Sequence, residues 1–160
     1  MSERILLPLD GSALGEAAIA YVDGLIARLA PEERIEITLF HVITAVRQTL
    51  HLQGGGMISV PYNEDELAKL KTDATTYLEK VGERLQHKQI TLGVKVAVSE
   101  NPAEEIIRAE AEVNADLVAM STHGRSGVSR FALGSVAEKV LRGGTVPVLM
   151  VRAVAQESAA

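Results

Sequence analysis

The chain has 160 residues, enough for one domain and short of two. Hydrophobic residues make up 47% and aromatics 3%, with no Trp, so the core must be built from aliphatic side chains. Lys and Arg number 16 against 21 Asp and Glu, a net charge of −5, which provides no general field to attract nucleic acid. The absence of Cys excludes disulfides, thiolate metal sites and cysteine nucleophiles.

Arg4–Leu9 (RILLPL) is a short apolar run that fits a strand buried on both faces, with Pro8 at its end where a missing backbone donor costs least. Asp10-Gly11-Ser12 follows as a turn, and apolar residues at helical spacing predict a helix over Ala13–Leu29. Arg34–Ile43 reads as a second strand. Thr44 to Tyr62 has no clear period and contains Gly54-Gly55-Gly56; it reads as a long loop, a mobile lid or a disordered segment. A helix is predicted from Asn63 to His87, opened by a capping box between Asn63 and Glu66.

Ile90–Val98 is the third strand. Asn101-Pro102-Ala103-Glu104 predicts a capped helix start with Pro at the first helical position, the helix running to about Val113. Ala115–Met120 is a fourth buried strand. The glycine-containing loop after it leads to a helix over Val136–Arg142, with Ser135 and Glu138 as a second capping box and Gly143-Gly144 as the stop. Thr145–Arg152 is the fifth strand, its Pro147 favouring an edge. Strands alternating with helices predict an α/β fold: an open, doubly wound, five-stranded parallel sheet with helices on both faces. The expected organisation is a single domain over residues 1–152 and a flexible tail over 153–160. No apolar run reaches the roughly 18 residues of a membrane span. The N-terminus MSERILLPLDGS lacks the pattern of a signal peptide. The expectation is a cytoplasmic protein without membrane insertion.

A strand order of 3-2-1-4-5 sets the ligand crevice beyond the carboxyl ends of the first and fourth strands. Asp10-Gly11-Ser12 and Ser121-Thr122-His123-Gly124 leave those strands. The fourth loop suits phosphate: Gly124 and Gly127 permit close backbone approach. Gly134-Ser135 opens a helix whose free N–H groups favour an anion. Arg125 and Arg130 add charge, and Ser126, Ser129 and Ser135 add hydroxyls. Such loops also exist merely to turn the chain. Neither a P-loop nor a dinucleotide fingerprint is present. The four His have no partners at metal-ligand spacing and read as ordinary residues.

Ser121–Ser135 (STHGRSGVSRFALGS) resembles the nucleotide loop of the universal stress protein family, whose ATP-binding members carry G-x-x-G, nine residues, then G-[ST]. Gly124, nine residues, Gly134 and Ser135 match; Ser121 stands where the pattern has its first Gly. ILLPLDGS at the start, His41-Val42 and the final PVLMVR match as well, so the resemblance runs through the whole chain. It implies ATP as ligand, accompanied by Mg²⁺ or Mn²⁺ held through the phosphates rather than by protein side chains. Pro8 would line the site, Asp10 would sit near the adenosine, and Val42 would hold adenine through its backbone. Met120 and Ser121 would lie near the ribose and the start of the phosphate chain. Gly124, Gly134, Ser135 and Val136 would hold phosphates, and Arg125 and Ser126 fit beside them. The resemblance also implies a homodimer through the last strand, Val146–Val151, and a regulatory protein partner of unknown identity.

Two single-residue alternatives stay open: Asp10 as a cap of its own turn, and Ser135 as a helix cap that also faces phosphate. Three functions compete. One is an ATP-binding regulatory stress-response protein. The second is a slow ATPase or autophosphorylating enzyme, for which no base with an orienting partner is visible. The third is an ATP-free dimeric interaction module.

Overall fold

A computed structural model describes residues 2–29, 33–85, 89–122 and 133–153. In chain order the elements are β1 (Ser2–Pro8), α1 (Ala17–Leu29), β2 (Arg34–Ile43), β3 (Arg47–His51), β4 (Met57–Pro61), α2 (Glu64–Gly82), β5 (Ile90–Val98), α3 (Pro102–Glu112), β6 (Leu117–Thr122), α4 (Ser135–Gly143) and β7 (Val148–Arg152). Five strands form one parallel sheet in the order β5-β2-β1-β6-β7. Counted among the sheet strands alone, that is the expected 3-2-1-4-5.

Period-two alternation sends neighbouring side chains to opposite faces. Ile5, Leu7, Ile37 and Leu39 pack with Ile19, Val22 and Ile26 of α1 and Leu78 and Val81 of α2. Leu6, Phe40, Val118 and Met120 pack with Ala103, Ile106 and Ala109 of α3 and Ala137 and Val140 of α4. The continuous apolar run of β1 follows from this: Ile5, Leu6 and Leu7 are all buried, on alternate faces. At the amino ends of the strands, the buried Glu110 accepts from both the amide and the hydroxyl of Thr145, each at 2.7 Å, and pins the turn from α4 into β7.

Several local expectations are corrected. Residues 44–62 are not a structureless loop, because β3 and β4 form an antiparallel hairpin registered from Arg47↔Pro61 to His51↔Met57. Its turn closes with Leu52 N–H donating to Gly56 C=O at 2.8 Å. Gly54 (φ 122°) and Gly55 (φ 90°) supply backbone angles that side chains resist. The first helix begins at Ala17 rather than Ala13, because Asp10 and Ser12 hold the preceding residues in turns. The helix of α2 ends at Gly82. Beyond it Arg84 and Leu85 bond only three residues back, which tightens the last turn and still buries Leu85. The Asn63–Glu66 capping box is formed. The Asn101 side chain makes no cap bond, although Pro102 opens α3 as expected. The N-cap of α4 is Gly134, not Ser135: Glu138 N–H closes on Gly134 C=O at 2.8 Å, which makes Ser135 the first helical residue. Glu138 instead pairs with Arg142 one turn on.

Candidate functional site

The register between β1 and β6 spans only Ile5↔Leu117 and Leu6↔Val118. Past those pairs the two strands part, at the point where the chain's winding reverses direction. The opening is a cavity of about 460 Å³, within the range of roughly 300–1,000 Å³ usual for small-molecule sites. Phe40, Ile106, Met120 and Ala137 give it apolar walls, and the chain leaving β2 at Thr44 and Ala45 borders it.

Pro8, Asp10, Val42, Met120, Ser121, Gly134 and Val136 all line this cavity. Ser135 begins α4 between two of them. Gly124, Arg125 and Ser126 lie outside the described residues.

Asp10 holds its own turn: Oδ1 accepts from the Ser12 amide at 2.9 Å and the Ser12 hydroxyl at 2.6 Å. Gly11 takes φ 82° to reverse the chain. A methyl group at Gly15 would overlap Asp10 Oδ1, so the close approach of these residues requires glycine. The Ser121 hydroxyl is also engaged. It donates to Gly15 C=O at 2.8 Å and accepts from Ala18 N–H at 3.0 Å, capping the first turn of α1 from the end of β6.

Backbone groups on β2 alternate sides. Ile43 C=O accepts from Ser99 N–H, so odd positions face β5; Phe40 C=O accepts from Leu9 N–H, so even positions face β1. Val42 therefore directs its N–H and C=O toward β1, which has already ended at Pro8. Across the cavity, α4 opens with no side-chain cap bond among the described residues. Its first-turn N–H groups carry the positive end of the helix dipole. The cavity thus has backbone hydrogen-bonding groups at one side and an anion-attracting helix end at the other.

His41 borders the cavity beside Val42. Its Nδ1 lies 2.8 Å from Leu9 C=O, and its ring meets Tyr77 edge-on, centroids 6.2 Å apart. The Tyr77 hydroxyl donates to Glu16 at 3.0 Å, and Glu16 pairs with Arg84. Burial, then the Glu16 carboxylate, pushes the Tyr77 hydroxyl well above the ordinary phenol range, so it stays a donor at neutral pH. Sequence reasoning passed over His41 and Gly15 as site residues. The spacing D-G-S-x-x-G and the His next to Val42 were the available signals.

The sequence model of the Universal stress protein family matches residues 1–152. The chain belongs to the universal stress protein family. Universal stress protein YxiE of Bacillus subtilis is 30% identical over 153 residues, covering 95% of this chain and 100% of that one. Universal stress protein MJ0577 of Methanocaldococcus jannaschii is 30% identical over 161 residues, covering 95% and 96%. The solved structure of MJ0577 superposes with a TM-score of 0.69 over 94% of this chain and 95% of that chain, at 24% identity. A universal stress protein solved in complex with cAMP superposes with a TM-score of 0.60 over 95% and 98%, at 19% identity. These likenesses carry the fold, and they agree with the parallel sheet and strand order described above. Among the described residues of this universal stress protein, no helix is long and apolar enough to cross a membrane.

Proposed function

We propose that this chain is an ATP-binding regulatory protein of the stress response, with the nucleotide in the crevice beyond β1 and β6. The observation that supports this most is the meeting, on one cavity of about 460 Å³, of the outward-facing Val42 backbone and the start of α4, which has no side-chain cap bond among the described residues. An N–H beside a C=O complements adenine, which presents a ring-nitrogen acceptor next to an amino donor; guanine carries a carbonyl instead of that amino group. Phe40, Ile106 and Met120 supply apolar surface for the base, and the Asp10 carboxylate suits ribose hydroxyls. The amides of Ser135 and Val136 suit the phosphates, with Gly124, Arg125 and Ser126 as expected companions. A divalent ion, Mg²⁺ or Mn²⁺, travels with the phosphates and offsets their charge. The structural likeness to a universal stress protein complexed with cAMP supports an adenine nucleotide as the ligand class.

Binding fits these residues better than catalysis. Among the described residues the Asp10 carboxylate holds a turn and the Ser121 hydroxyl caps α1, and neither is arranged with a base and an orienting partner. The edge strand β7, with Val148, Leu149 and Met150 half-buried, suits pairing with a second copy through Val146–Val151. Native mass spectrometry of freshly purified protein tests both parts. The expected species is twice the mass of the 17.1 kDa chain, and it releases ATP on denaturation. Released ADP favours hydrolysis, and a nucleotide-free dimer would replace this reading with an interaction module.

A further inference from the structure

The ladder between β1 and β2 is regular up to Pro8↔Phe40, and Leu9 N–H continues it by donating to Phe40 C=O at 2.8 Å. The parallel pattern calls for one more bond, from Val42 N–H to Leu9 C=O. Among the described residues that bond is not made. Leu9 C=O is taken instead by the side chain of His41, the residue between Phe40 and Val42, at 2.8 Å.

A carbonyl only accepts, so Nδ1 of His41 carries the proton. The ring is held in place by Tyr77, whose own hydroxyl is fixed by Glu16. The side chain thus bonds the carbonyl that the ladder would use, and Val42 N–H makes no bond to it. The Val42 amide is left facing the cavity.

We infer that His41 is a positioning residue of the base-binding end of the crevice, keeping the Val42 N–H open by occupying the Leu9 carbonyl. The inference rests on the nucleotide reading for its purpose, but the hydrogen-bond exchange itself is a property of the free protein. His41 acts through Val42 and touches the base only indirectly. Its consequence is selectivity: an open Val42 N–H beside its C=O favours adenine over guanine, and closing the ladder removes that preference.

The test uses the full chain. Without nucleotide, the Val42 amide exchanges hydrogen rapidly in the native protein. In His41→Leu it becomes protected as the ladder closes, and in His41→Asn, whose amide still reaches the carbonyl, it stays rapid. ATP affinity falls about tenfold in His41→Leu, the loss of one hydrogen bond. It recovers in His41→Asn, and weak GTP binding is unchanged in both. Equal Val42 exchange in the native and Leu proteins overturns the inference, as does an equal loss of ATP and GTP affinity. Nitrogen-15 shifts of the native His41 ring give an independent check without any variant: protonated Nδ1 in the neutral ring is expected, and a neutral ring protonated at Nε2 overturns the proposal. If the native protein binds no ATP, the nucleotide reading fails, while the exchange and ring measurements still decide the role of His41.

Discussion

Ser121 shows how one hydroxyl can be committed in a way the chain's local pattern does not reveal. It stands where the family's nucleotide loop has glycine, and the resemblance directs it toward the ligand. In the folded chain its oxygen bridges Gly15 C=O and Ala18 N–H, more than 100 residues away in sequence, as separations of 106 and 103 residues show. Ala18 is fully buried, so removing the hydroxyl leaves a buried donor unsatisfied. Ser121→Ala is expected to lower stability by about 1–3 kcal/mol, the usual cost of such a group, in urea unfolding. A loss under about 0.5 kcal/mol, the size of an ordinary surface change, would show that the bridge carries no weight. Asp10 was legible as a turn-holder and in its place beside the crevice, because Asp-Gly-Ser signals the turn and the strand before it signals the location. Gly15 was not, because its need for glycine comes from the Asp10 carboxylate folded back against it.

At the scale of elements, caps that depend on neighbouring residues were readable only where nothing competed for them. Asn63 and Glu66 form the box the sequence announces. Gln48 of β3 adds to it, donating to both Glu66 oxygens at 2.9 and 3.0 Å, and ties the hairpin to α2. Ser135 and Glu138 had the same spacing, but Gly134 took the cap position and made Ser135 the first helical residue. The hairpin itself was missed because its two short alternations, L-H-L and I-S-V, turn Leu50, Leu52 and Ile58 toward solvent rather than into a core. The Glu66 carboxylate is held below its ordinary range, first by the Asn63 backbone N–H and then by Gln48. A depressed folded pKa means a contribution to stability that is complete above the unfolded value and is lost as pH falls through the folded one. On acidification, the Asn63 and Gln48 signals in NMR spectra are expected to move together below the ordinary carboxylate pKa, and Glu66→Gln to abolish that step. Independent titration of the two would separate the hairpin from the cap.

For the molecule as a whole, the parallel α/β class followed from the alternation of strands and helices with right-handed crossovers, whereas the order 3-2-1-4-5 is one of the common orders that this alternation allows and is fixed by the strand pairing. Burial on both faces made the central strands visible as apolar runs. The crevice followed from the same order, since β1 and β6 are the neighbours whose connections leave in opposite directions. The direction of backbone groups at the end of β2 did not follow. It depends on where β1 stops and on a side chain, His41, that completes the ladder in place of the main chain. The site is therefore assembled from segments distant in the chain: the turn after β1, the end of β2, and the entry to α4. A ligand spanning it joins both sides of the switch point.

The most direct test is to titrate nitrogen-15-labelled protein with Mg-ATP and follow the backbone amides. The Val42, Ser135 and Val136 amides are expected to shift along one saturable curve while Leu50 and Ile58 of the hairpin stay still. An absence of saturable shifts at these three amides, or saturation confined to other parts of the chain, would contradict nucleotide binding in this crevice.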